Sequence, residues 1–285
     1  MLDNHPQLTI ANDTHFILRA AKRVLRRDPQ PLLTPDLVAA VRSYRRFYRM
    51  GLDDSDVQAA AEHCQTYAEF VSRLYRLRGK NNQKELSGEK TPDNCRSMPL
   101  LHGLFPAARF VHIIRDGRNT ALSTLSWANE NKGPGKWSLW NEDPLATCAL
   151  WWRWQAGAGE RDGQGLGDRF YHRVKYEDLV AEPESRLEAI ARFLGIPYSV
   201  SMVNYHKGKT RHEPGLSAKS AWLPPVKNLR DWRTGMSAED NGVFEGIAGD
   251  LLSEIGYPLS NPQPSAAVKA RVSNALAWWA SEGKR

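Results

Sequence analysis

With 285 residues, 41% hydrophobic and 25% charged, the chain can bury one large core, and its composition excludes a collagenous, low-complexity or disordered polypeptide. A formal net charge of +7 asks for an anionic partner, but the basic residues are scattered without a recognition motif, so a polyanionic small molecule is expected and a nucleic acid is not. No apolar run approaches the ~20 residues that span a bilayer, and Cys64, Cys95 and Cys148 are too scattered for a disulfide framework or a zinc site, which points to a reducing, cytoplasmic setting.

The first residues, MLDNHPQLTI, hold an aspartate and no basic n-region, unlike a secretory leader. Asp13 is a natural N-cap for a helix expected over 14–27. Thr34-Pro35-Asp36 supplies a cap and a proline at a helix start. Leu37, Val41, Tyr44 and Tyr48 then recur at helical spacing as far as Gly51. Ser55-Asp56 starts a second helix that runs to about residue 78. Arg42, Arg45, Arg46 and Arg49 read either as a solvated helix face or as an acceptor-binding surface that prefers acidic substrates. Gly88-Glu89-Lys90-Thr91-Pro92 sets Lys90 at a strand end, just before a helix expected over 93–104.

Phe110 to Ile114 is mostly apolar and branched, the composition of a buried parallel strand. Polarity switches at Arg115, and Asp116 can cap a helix that follows at once. A strand feeding straight into a helix N-terminus is a ready anion site. Arg115 would stand at the carboxyl end of the strand, where open α/β sheets bind ligands. Asn119 and Ser123, four apart, share a helix face. A guanidinium, an amide and a hydroxyl can thus converge on one phosphate. The plainer alternative is an arginine–carboxylate surface pair beside an ordinary junction.

Gly133-Pro134-Gly135-Lys136 and the Walker-like tail Gly208-Lys209-Thr210 lack the strand or glycine that a phosphate loop needs, and read as surface turns. A helix over 144–158 carries Trp151, Trp152 and Trp154, whose indoles suit core packing better than base stacking. A strand over 170–175 ends at Tyr176, with Glu177 and Asp178 capping or bracing the turn. Pro183 and Gly195 frame another helix. Ser199 to Thr234 is irregular and basic, as functional loops are. Ser237 caps a helix that ends at Gly256. An amphipathic tail helix through Val268, Val272, Leu276 and Trp279 docks on the body or, in a homodimer, on a second subunit.

Three of these segments carry a resemblance. RDGRNTALS (115–123), GEKTP (88–92) and VKYEDLVAEPESRLEAIARFLGI (174–196) occur in the order found in sulfotransferases that use 3′-phosphoadenosine 5′-phosphosulfate (PAPS). Over most of its length the chain resembles that family, and within it the bacterial and tyrosylprotein sulfotransferase-like group. The resemblance implies an α/β fold, a short parallel sheet flanked by helices and related to P-loop kinases. It implies one domain over 1–260, with a helical insertion at about 34–80 and a tail helix over 261–285. The implied reaction moves a sulfuryl group from PAPS to a hydroxyl or, less favoured, an amine, without a metal. Asp13 stands where the family has a glutamate, and would take the acceptor's proton. Lys90 would offset charge on the leaving phosphate. Arg115 and Ser123 would hold the 3′-phosphate and Tyr176 would contact the adenine. Lys227 and Arg230, near Trp232, would add phosphate contacts from a loop folded over the nucleotide.

The N-terminus departs from the family pattern. A strand, a Gly-x-Pro-Arg-Ser-Gly-Thr loop that cradles the 5′-phosphosulfate, and most of a first helix would precede Leu2-Asp3. The expectation is a start at an internal methionine of a longer protein, or a naturally short and defective product. Two other readings stand beside the transferase. One is a catalytically defective nucleotide-binding module, which gains weight from the missing loop. The other is a small-molecule kinase of related fold, which would need the Walker lysine that the chain lacks.

Overall fold

A computed structural model describes residues 1–207, 224, 230–260 and 263–283. They fall into two units: Met1–Val111, Leu166–His172 and Glu182–Pro225 form the first, and His112–Gly165, Arg173–Ala181 and Val226–Arg285 the second.

In the first unit the N-terminal segment, expected only to lead into a helix, makes a 3-10 turn, Leu2–Asn4, and then a strand, β1 (Leu8–Asn12). It pairs in parallel with β2 (Leu86–Lys90), in register from Leu8 opposite Leu86 to Asn12 opposite Lys90. Parallel neighbours need a long crossover, and the helical insertion supplies it. Pro35–Ser43 starts at the Thr34 cap as expected, and Gly51, with φ +67°, ends the short turn that follows. The second insertion helix divides into Asp54–Ala61 and Tyr67–Asn81, because Thr66 and Glu69 form a fresh capping box. Asp53, not Ser55, caps the first of these. The core between them holds Phe16, Phe47, Tyr67, Phe70 and Leu74, all fully buried.

The second unit contains most of β3 (Phe110–Ile114) and β4 (Tyr171–Lys175), which pair as a separate two-stranded sheet. The chain is therefore α/β with short sheets among many helices, as expected, but the strands among the described residues stand in two pairs rather than one sheet. The core of this unit gathers Trp152, Phe244, Ile247 and Leu252 between the helices Pro144–Leu166 and Ala238–Ile255. The tail helix Ala266–Ser281 docks on its own chain. Val268 and Ala275 are buried, and Arg271 donates to Asp143 at 2.8 and 3.0 Å. Of the three helix tryptophans, Trp152 enters the core, while Trp151 and Trp154 join Trp137, Trp278 and Trp279 in an aromatic cluster.

One buried titratable group in this unit has a measurable consequence. His112 on β3 lies 3.8 Å from Glu160, whose other oxygen takes an Arg173 N–H at 2.6 Å. Gly159 has no side chain because the imidazole occupies that space, 2.4 Å from where a Cβ would sit. Burial drives the His112 pKa from 6.5 down to about 4, against the pull of Glu160. The unfolded chain therefore binds the extra proton first. Stability should be full above pH 6.5 and fall, by up to ~3 kcal/mol from this group, as pH drops toward 4. Urea unfolding of His112→Leu beside the parent checks this: the parent should lose clearly more stability than the variant between pH 7 and 4.5.

Candidate active site

The first unit gathers its chemistry where β1 and β2 end. The parallel ladder continues one residue past β1, with Asp13 N–H donating to the Lys90 carbonyl at 2.6 Å. Asp13 and His15 then both turn left-handed, at φ +60° and +56°, an uncommon and strained conformation for such residues. The expected cap at Asp13 is not formed. The helix begins at Phe16 with His15 before it, and breaks at Ala21 into Phe16–Ala20 and Lys22–Leu25. The reason is that the Asp13 carboxylate is engaged elsewhere. One oxygen meets His15 Nε2 at 2.7 Å, and the other accepts from Arg49 at 2.8 Å and Arg46 at 3.4 Å.

Glu89 of the GEKTP segment buttresses this turn. It accepts from Thr14 N–H at 3.2 Å, from the Thr91 hydroxyl and, through its other oxygen, from Tyr75 at 2.6 Å. Burial works to raise the Asp13 pKa. The hydrogen bonds from His15 and Arg49 and the charges of His15 and Lys90 outweigh it, so the group stays ionised below the usual carboxylate range. Lys90 keeps an exposed surface, yet the protein around its ammonium lowers its pKa from the usual lysine value, against the attraction of Asp13 and Glu89. A charged carboxylate and a lysine thus sit at adjacent strand ends. Beside them opens a cleft of about 280 Å³, lined by His15, Arg19, Lys22, Arg26, Asp93 and Arg96 among others.

In the second unit the strand–helix turn is built as expected. β3 ends at Ile114, Arg115 follows, and Asp116 caps the helix Gly117–Leu125 by accepting from Arg118 N–H at 2.9 Å. Gly117 is obligatory, since a Cβ there would lie 2.5 Å from Trp152 and 2.6 Å from Phe244. Trp152 Nε1 donates to the Arg115 carbonyl at 3.1 Å, and Glu177 accepts the Asp116 N–H at 3.0 Å while Tyr257 donates to its other oxygen at 2.7 Å. Glu177 therefore braces this distant strand–helix turn, whereas it was expected to cap or brace the local turn after Tyr176. Tyr176 does not end β4 but opens a short helix, Tyr176–Ala181. Its ring lies under the Arg115 guanidinium at 5.0 Å. Ser123 is half-buried two turns into the helix, four residues from Asn119.

Asn119 accepts the Trp232 backbone N–H at 2.8 Å through its oxygen, so its NH2 group is the donor that a phosphate would meet. Arg230 is exposed at φ +59°, two residues before Trp232, and Lys227 lies outside the described residues.

The residue that sequence reasoning passed over is Arg118. It is completely buried, donates to Asp116 at 3.1 and 2.8 Å and to Glu245 at 2.7 Å, and lies 3.7 Å over the Trp232 ring. The only hint was an acid two residues before it. His15 was passed over as well, and Arg46 and Arg49, read only as part of a basic patch, gave no local sign of their pairing with Asp13.

The chain is an α/β protein with a carboxylate and a lysine at the ends of one parallel strand pair and an arginine-led strand–helix turn after β3. The chain belongs to the sulfotransferase family, whose model matches residues 1–200. Protein-tyrosine sulfotransferase A of Caenorhabditis elegans is 23% identical over 268 residues, 92% of this chain and 64% of that protein. The Drosophila melanogaster protein-tyrosine sulfotransferase is 25% identical over 219 residues, 70% of this chain and 43% of its own. The chain thus spans less than two thirds of these relatives. The sulfotransferase domain of the Synechococcus PCC 7002 olefin synthase shares the fold, with a TM-score of 0.54 at 18% identity over 97% of this chain and 87% of that one.

Proposed function

We propose that the chain transfers a sulfuryl group from PAPS to a hydroxyl acceptor. The observation that carries this reading is the Arg115 turn, held from below by Trp152, Glu177 and Tyr257 and covered on one side by Tyr176. The residues fit the donor: a guanidinium and a hydroxyl for its 3′-phosphate, and a tyrosine ring for its adenine. PAPS supplies the activated sulfuryl group. Asp13 accepts the acceptor's proton as the new S–O bond forms and the bridging S–O bond breaks. Lys90 offsets the charge left on the departing phosphate. The basic lining of the cleft beside His15, with Asp93 as its carboxylate, supports an acceptor that carries negative charge. A reducing, cytoplasmic setting is part of the proposal, because Cys64, Cys95 and Cys148 are too scattered in the sequence for a disulfide framework.

The test is a titration of the purified chain with 3′-phosphoadenosine 5′-phosphate. The parent should bind it, and Arg115→Ala should weaken binding more than tenfold, since a charge-assisted contact is worth ~1.5–3 kcal/mol. Binding of ATP with no binding of PAPS or its product would overturn the assignment. Binding of the product without any sulfuryl transfer would instead leave a nucleotide-binding module.

A further inference from the structure

The side chains behind Arg115 set where its guanidinium points, an inference that rests on the nucleotide reading above. The direction in which a side chain leaves the backbone is fixed by the two rigid peptide planes that flank its Cα. At Arg115 side chains from other elements of the second unit reach both planes. The plane after it is held at both ends: the Arg115 carbonyl accepts from Trp152 Nε1 at 3.1 Å, and the Asp116 N–H donates to Glu177 at 3.0 Å. The plane before it ends in the Ile114 carbonyl, which faces the Tyr257 hydroxyl at 3.3 Å. That hydroxyl has one proton, and its shorter contact is Glu177, at 2.7 Å through the oxygen that Asp116 does not use. Tyr257 thus stands against one plane and holds the acid that grips the other. It is fixed in turn by Lys175, which donates to the Gly256 carbonyl at 2.9 Å and lies 4.8 Å over the Tyr257 ring. Burial first, and then Glu177, raise the Tyr257 pKa above the ordinary phenol range, so the group stays a donor. Glu177 also follows Tyr176, whose ring lies under the Arg115 guanidinium at 5.0 Å. One short helix therefore holds both the backbone of Arg115 and its charged end. A guanidinium fork engages a phosphate fully only when it is aimed at it, and a displacement of about an ångström is enough to lose such geometry.

We propose that Tyr257 and Glu177 are positioning residues for recognition of the 3′-phosphate: neither touches the nucleotide, and together they aim the Arg115 guanidinium. The probes are 3′-phosphoadenosine 5′-phosphate and adenosine 5′-phosphate, which differ by the 3′-phosphate alone. Calorimetric affinities would be measured for the parent, Tyr257→Phe, Glu177→Leu and their double variant, with thermal melting as a check on folding. Tyr257→Phe removes a single oxygen. It should weaken the bisphosphate about fivefold and leave adenosine 5′-phosphate within about twofold. Glu177→Leu also strips the Asp116 N–H of its acceptor, and should weaken the bisphosphate about tenfold with the same sparing of the monophosphate. The double variant should stay within about twofold of Glu177→Leu, because both changes act through one carboxylate. A purely structural role would lower both affinities alike. Equal losses for both nucleotides, fully additive losses in the double variant, or an undiminished preference for the bisphosphate in Tyr257→Phe would overturn the proposal. A parent that does not prefer the bisphosphate, or an Arg115→Ala variant that keeps the preference, would overturn the nucleotide reading itself, so the two failures are distinguishable.

Discussion

Arg118→Met should be less stable than the parent by about 3–5 kcal/mol, the range for breaking one side of a buried ion pair. The size follows from what the change leaves behind. Asp116 and Glu245 are each almost fully buried and share this one guanidinium. Methionine fills much of the volume but leaves two carboxylates close together in a poorly solvated place. Glu245 also accepts from Ser260 N–H at 3.0 Å and Asn241 at 3.1 Å, and these two donors are neutral and do not cancel its charge. Glu245→Gln should cost less, because Arg118 then retains Asp116. Urea unfolding at pH 7 measures both. A loss below ~1 kcal/mol for Arg118→Met would mean that water enters to solvate the acids, or that they take up protons.

Asp13→Asn should lower the rate of sulfuryl transfer by roughly 10²–10⁴, the usual share of a positioned general base. Its neighbours add a pH signature. Asp13 must be deprotonated to act, and the hydrogen bond from Arg49 is among the interactions that lower its pKa. Arg49→Ala removes that donor, so the Asp13 pKa rises and the acid limb of the rate profile moves to higher pH. The same arginine is about half exposed, at 43% of its side chain, so its pair with Asp13 contributes little to folding. Melting of Arg49→Ala should stay near the parent while its pH profile moves. An unmoved acid limb would remove Asp13 as the titrating base.

The sequence was most legible where one chemical rule acts locally. β3, the Asp116 cap, the Pro183–Gly195 frame and the Ser237-to-Gly256 helix all follow from apolar runs bounded by caps and stops, and all are found, although β3 is not the buried strand expected, with Ile114 buried and Ile113 50% exposed. β1 was missed because Leu8 to Asn12 is short, and its partner lies almost eighty residues later across a helical crossover. Asp13 looked like a cap because aspartate before an apolar run usually is one. Long-range pairing to Arg46 and Arg49 decided otherwise, and no local pattern encodes that competition. Arg118 shows the same limit: composition places an arginine at the surface, and only Glu245, 127 residues away, takes it inside.

The left-handed residues Asp13 and His15, either side of Thr14, matter to anyone who would engineer this chain for heat resistance. Glycine tolerates that backbone freely while aspartate and histidine do not, so a screen that rewards only survival at high temperature will favour glycine at both positions. Such a screen would remove the carboxylate proposed as general base and the imidazole beside it. Positions 13 and 15 should therefore be frozen in any stabilised library, and retention of turnover selected alongside resistance to heat.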